Sequence, residues 1–177
     1  MANRDRLLKC LKACVMVEVV GLVLHTVGFA TPYWRALHFR YSEDVVGSVD
    51  ILIQGFDEGL WRKCVNGICS DVSVVGRDWL QAVRVIDSIA VITSAIATLL
   101  LTLYFLLPKI GENRRAFLIS TVSSLVTGGA VMLVAITYGA SVKVSIAWSF
   151  GFVVTGGVCF VIGGILKLIA FYTFMAK

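Results

Sequence analysis

The sequence predicts a membrane all-α four-helix bundle that carries a small extracellular antiparallel β-sheet. Three observations lead there. The chain has four apolar stretches long enough to cross a bilayer, its basic residues gather on one side of them, and the longest polar interval holds Cys64-Val65-Asn66-Gly67-Ile68-Cys69, a hairpin with a cysteine on each arm. A hydrophobic fraction of 58% and a mean hydropathy of +0.89 exceed those of a soluble domain, where roughly half of the residues are apolar. A single large soluble core is therefore excluded.

Spans are expected over 13–34, 82–107, 116–139 and 146–170, with outer loops over 35–81 and 140–145, all in one domain covering 1–177. The first is apolar apart from Glu18 and His25, the second is uncharged after Asp87, the third carries no charge, and the fourth none before Lys167. Each supplies the roughly 20 residues that a hydrocarbon core requires, and helices are the natural choice because open sheet edges cannot sit in lipid. The basic start and apolar run resemble a cleaved signal peptide. The run is longer than an h-region, however, and ends in Pro32-Tyr33-Trp34 instead of small residues, so an uncleaved anchor is expected. Basic residues mark the inner flanks: Arg4, Arg6, Lys9 and Lys12, then Lys109, Arg114 and Arg115, then Lys167 and Lys177. By the positive-inside rule both termini are cytoplasmic and both loops lie outside. The net charge of +5 then reflects topology; it points to the bilayer and its anionic headgroups as a partner, and not to nucleic acid.

In the first outer loop, Asn66-Gly67 is the dipeptide best suited to a type I′ turn, whose two central residues both need positive φ, so Val65 and Ile68 form the first pair of a hairpin. Cys64 and Cys69 then face each other at a non-hydrogen-bonded position, with Cα atoms about 4.5 Å apart. A disulfide spans that distance. Closing so short a loop contributes about 2 kcal/mol, enough to lock the hairpin but not to drive folding. Two reduced thiols are the alternative, disfavoured by an oxidising exterior. A second strand is expected over 48–54, rich in β-branched residues and bounded by Gly47 and Gly55.

Trp34, Gly59-Leu60-Trp61, Cys64 and Cys69, then Trp79-Leu80-Gln81-Ala82-Val83-Arg84 at the start of the second span, form an ordered set that resembles the signature of the claudin superfamily. That group includes the claudins, the peripheral myelin proteins and the epithelial membrane proteins. The resemblance covers the whole chain in topology and 34–84 in detailed motif. It implies a left-handed bundle capped by a twisted sheet, with Trp61 and Gly59-Leu60 wedging the sheet into the outer end. Trp34 and Trp61 then anchor the fold, with direct partner contact as the alternative. Arg84 caps the sheet or the outer-loop carbonyls, or else snorkels to the interface. Three departures separate the chain from tight-junction claudins: only four residues lie between the cysteines, the second outer loop is minimal, and the chain ends Phe174-Met175-Ala176-Lys177 without the valine motif that engages scaffolds. Scaffold binding through the C-terminus is not expected.

Charges within spans need partners. His25 and Asp87 each lie about 12 Å inward on adjacent antiparallel spans, so a hydrogen bond between them is expected, with Arg84 as the alternative partner of Asp87. A pH-sensing or ion-relay role is the other reading of this pair. Glu18 and Lys167 can pair near the inner ends, or Lys167 can snorkel. Ser120, Ser124 and Gly128 repeat every four residues on the third span, and Gly151, Gly156, Gly157, Gly163 and Gly164 populate the fourth, so these two spans are expected to pack closely. Cys10 and Cys14, one turn apart at the inner surface, suit palmitoylation or stay as plain thiols. Cys159 is read as a small core residue.

No enzyme is expected. His25 and His38 are the two histidines, and no phosphate loop, metal cluster or paired nucleophile is legible, so no cofactor is implied. The functional expectation is a claudin-like plasma-membrane protein making lateral and cell-to-cell contacts, in adhesion or a paracellular barrier at cell junctions, as a homo-oligomer or with other membrane proteins. Its first outer loop carries seven acids (Glu43, Asp44, Asp50, Asp57, Glu58, Asp71, Asp78) against five bases (Arg35, Arg40, Arg62, Lys63, Arg77), a weak preference for cations if it lines a pore. The alternative is an accessory or membrane-organising subunit bound to another membrane protein in the same bilayer.

Overall fold

The computed structural model describes residues 2–42, 51–107, 114–142 and 145–175. Helix α1 (Ala2–Ala30) leads into strands β1 (Arg35–Ser42), β2 (Ile51–Glu58), β3 (Arg62–Val65) and β4 (Ile68–Asp71). Helices α2 (Asp78–Leu106), α3 (Arg114–Ser141) and α4 (Trp148–Ala170) follow, the last continuing as a π-helical turn over Phe171–Met175. Glu43, Asp44, Ser48, Val49, Asp50, Lys109 and Lys177 lie outside the described residues.

The helix ends correct the expected span limits. The first span stops at Ala30 and not at 34, because a residue before proline is driven out of the helical region and Thr31 precedes Pro32. Its last carbonyls are met locally: the Thr31 hydroxyl donates to Val27 O at 2.7 Å and the Trp34 indole to Gly28 O at 2.8 Å. The second helix starts at Asp78, four residues before the expected 82. Gly76, at φ 72°, supplies the left-handed turn ahead of it, and Asp78 suits the positive end of its dipole. The last helix begins at Trp148 because Ser145 and Ile146 are drawn to the sheet: Ala36 N donates to Ser145 O at 3.2 Å, and Ile146 bridges Arg35.

The sheet has order β1-β2-β3-β4, antiparallel throughout. Gly55 does not end the second strand as expected; β2 runs past it to Glu58, with Gly55 opposite His38. The hairpin has the expected register, Val65 opposite Ile68 and Cys64 opposite Cys69, around Asn66 at φ 50° and Gly67 at φ 83°. Cys64 and Cys69 are joined in a disulfide with Cα atoms 4.0 Å apart. Replacing both by serine is expected to lower stability by about 2 kcal/mol and to hasten proteolysis within 62–71 while leaving helix content intact. Limited proteolysis alongside circular dichroism in micelles reads both effects, and unchanged cleavage would refute the locking role.

All four long helices are apolar enough to cross a membrane. Their exposed faces are aliphatic, as with Val85, Ile89, Ile92, Ile96 and Leu99 on α2 and Ile119, Val122, Val126, Leu133 and Ile136 on α3. Their buried faces hold Glu18, His25, Asp87, Ser94, Ser120, Ser124, Thr127 and Lys167. Apolar surface of that extent is not sustained in water, and the polar interior with an apolar exterior fits a multi-pass membrane protein.

The closest backbone approach differs from the expected third-with-fourth packing alone: α4 also meets α1 across glycines. A Cβ on Gly156 would fall 2.7 Å from Gly21 O, and one on Gly28 would fall 2.6 Å from Ser149 O and 2.9 Å from Val153 N. These neighbours are backbone and cannot yield. Gly28→Ala is expected to cost about 1–3 kcal/mol through overpacking. Gly129, with open space around it, should tolerate alanine and gain up to about 1 kcal/mol of helix propensity. Thermal unfolding of both variants in one detergent compares them directly, and equal midpoints would refute the α1–α4 contact.

Candidate functional site

The seat of the sheet is built from residues at the ends of α1, β2, α2, α3 and α4. Trp34, just past α1, is wholly buried with Leu60, Leu80 and Val83, and its ring meets Tyr138 edge-on at 4.9 Å and Phe150 at 5.6 Å. Gly59 lies against the end of α1, where a Cβ would stand 2.5 Å from Thr31 O and 2.6 Å from Pro32 Cα. Only glycine lets the turn after β2 come so close, which drives Leu60 into the core. Arg84 rises from α2 and donates from Nε to Leu60 O at 2.6 Å and from Nη2 to Val72 O at 3.0 Å. It therefore caps carbonyls of the loop between α1 and α2.

Trp61 departs from the expected wedge. It is 39% exposed, rests over the Arg84 guanidinium at 5.2 Å and meets Phe29 edge-on at 5.4 Å. Trp34 and Leu60 are the wedge. A further clamp was not legible in the sequence: the buried Glu58 pairs with Arg35 at 2.8 Å and with Arg77 at 2.6 Å, tying β1, β2 and the start of α2 together. Nothing in a loop rich in both signs of charge marks this one acid in advance.

Deeper in the bundle, His25 Nε2 lies 2.9 Å from Asp87 Oδ1, both side chains wholly buried, and Arg84 is engaged elsewhere. Closer to the end of the bundle away from the sheet, Lys167 Nζ pairs with Glu18 Oε1 at 2.7 Å and donates to Ser120 O and Oγ at 2.9 Å and to Ser124 Oγ at 2.7 Å. Ser124 Oγ in turn donates to Glu18 Oε1 at 2.7 Å. Lys167 is fully buried, so it does not snorkel. Ser120 and Ser124, expected as small packing residues, are its polar partners; two hydroxyls one turn apart in an uncharged span were the available signal.

Of the two cysteines considered for lipidation, Cys14 is buried among Leu11, Leu101, Phe117 and Ala170, out of reach of a modifying enzyme, whereas Cys10 is half-buried. Cys159 packs at the α1–α4 contact, where a Cβ on Gly21 would lie 2.8 Å from its own. Among the described residues no three histidine, cysteine or acidic side chains come together as a metal site would need.

Four long apolar helices around a polar interior, capped by a disulfide-pinned four-stranded sheet, fit the class of multi-pass membrane proteins built as a bundle with an attached sheet. The chain matches no protein-family model and no curated protein.

Proposed function

We propose that the chain is a claudin-like plasma-membrane protein, with both termini cytoplasmic, whose outer sheet makes lateral contacts and contacts between cells in adhesion or a paracellular barrier. One observation carries this reading. Ile68 at the hairpin tip and Val75 beyond β4 are 78% and 88% exposed, on a platform held to the bundle by Trp34, Leu60, Arg84 and the Glu58 ion pairs. Apolar side chains held outward on a rigid support suit contact with another protein. Glu58, Arg35 and Arg77 are committed to one another, so any cation preference of the sheet depends on the remaining charges.

Expression in non-adherent cells and in an epithelial monolayer tests the proposal. Enrichment at contacts and altered transepithelial resistance are expected, both reduced by Ile68→Ser with Val75→Ser at equal surface expression. Neither enrichment nor a resistance change would overturn it. The accessory-subunit reading has its own support: Ser145 and Ile146 are bound to β1, which leaves little of the second loop to reach another cell. Co-purification with a single partner from the same membrane, without enrichment at contacts, favours that alternative.

A further inference from the structure

The outer end of α2 bears a groove of about 390 Å³ that neither the sheet nor the other helices fill. Its floor is Val85, Ile89 and Ile92, all at least half exposed; Gln81 stands at its rim, and Trp61 and Arg84 close its outer end. The lining is almost wholly apolar, with one cation and no acid. Arg84 spends Nε and Nη2 on the Leu60 and Val72 carbonyls, and among the described residues no acceptor bonds Nη1. Of the nearby acids, Glu58 is held by Arg35 and Arg77, and Asp71, next in the chain to Val72, stands opposite Arg62 across the hairpin.

We infer that this groove is a binding site for one outer-leaflet phospholipid, its acyl chain along Val85, Ile89 and Ile92 and a phosphate oxygen accepting from Arg84 Nη1. Two features select this occupant. A guanidinium in the lining of an apolar slot is complementary to a phosphate joined to a hydrocarbon tail, and a charge-assisted hydrogen bond in such surroundings is strong. Trp61, 39% exposed, lines the same groove beside Arg84 and supplies the amphipathic indole that suits the headgroup level of a lipid. The indole thereby gains a role that the expected wedge did not give it: it roofs the site and holds Arg84 in place through its ring face. The lipid sits there whichever partner the sheet meets, provided that α2 crosses a bilayer with the sheet outside.

Native mass spectrometry of the delipidated full chain in micelles, titrated with phosphatidylcholine and separately with diacylglycerol, tests the site. One phosphatidylcholine per chain is expected, preferred over diacylglycerol by about tenfold, as one charge-assisted hydrogen bond provides. Val85→Trp with Ile89→Trp fills the groove and should remove the adduct, while Ile96→Trp, on the same exposed face but further along, should retain it. Equal retention in all three proteins, or equal binding of the two lipids, overturns the proposal. A wild-type dimer that the filled groove converts to monomer gives the groove to a second copy and likewise overturns it. A chain that stays monodisperse without detergent removes the membrane reading and the site with it.

Discussion

Lys167→Met is expected to destabilise the bundle by about 3–5 kcal/mol, because it leaves the Glu18 carboxylate buried with its cation gone. Three helices meet at that point. Glu18 comes from α1, Ser120 and Ser124 from α3 and Lys167 from α4, and both charged side chains are wholly buried. Removing one ion forfeits the pairing but retains the full cost of desolvating the other. The partner experiment is Lys167→Met with Glu18→Gln, in which no charge remains and most of the loss should be recovered, since replacing a whole buried pair is often close to neutral. A double-mutant cycle by thermal or dodecyl sulfate unfolding isolates the coupling. If the double variant is as unstable as the sum of the singles, the two residues are not coupled. A charge swap is a poorer test. Glu18 packs on Gly163, where an added Cβ would come within 2.9 Å of its Cγ and Oε1, so a longer lysine does not fit at position 18. A carboxylate at position 167 would also face the Ser120 carbonyl that Lys167 now satisfies.

The parts of this structure legible in the sequence are those governed by short-range rules. Span lengths follow from hydropathy, and the Cys64–Cys69 hairpin follows from the two positive-φ residues between its arms. The His25–Asp87 contact was reachable because both groups must escape lipid and both stand at the same depth on neighbouring spans. Less legible were contacts set by three-dimensional closure. Gly21 and Gly28 look like ordinary residues of an apolar run until Gly156 and Val153 are packed on them. Glu58 is one of many loop charges until the sheet folds it inward between two arginines. The strand limits around Gly55 failed for a related reason: glycine is a frequent strand breaker, yet here pairing on both sides carries the strand through it.

Trp34→Ala is expected to cost about 3–5 kcal/mol, the range for emptying a buried aromatic site. The indole fills the junction between α1, α3, α4 and the loop after β2, and its N–H supplies the Gly28 carbonyl at the C-terminal end of α1. Trp34→Phe keeps most of the volume but leaves that carbonyl only the longer Thr31 hydroxyl contact at 3.4 Å, so a smaller loss of about 1–3 kcal/mol follows. Trp61→Phe should cost less than either, because that ring is partly exposed and its contacts are one arginine and the edge of Phe29. The loss at Trp34 should be local in form. The buried polar contacts of the inner bundle do not involve this residue, so helix content in micelles should persist while the region 35–77 becomes open to protease with its disulfide intact. Circular dichroism and limited proteolysis on the three variants separate the two tryptophans. Equal damage from Trp61→Phe and Trp34→Ala would restore Trp61 as the wedge, whereas greater damage from Trp34→Ala makes Trp34 and Leu60 the pieces by which the bundle holds its sheet.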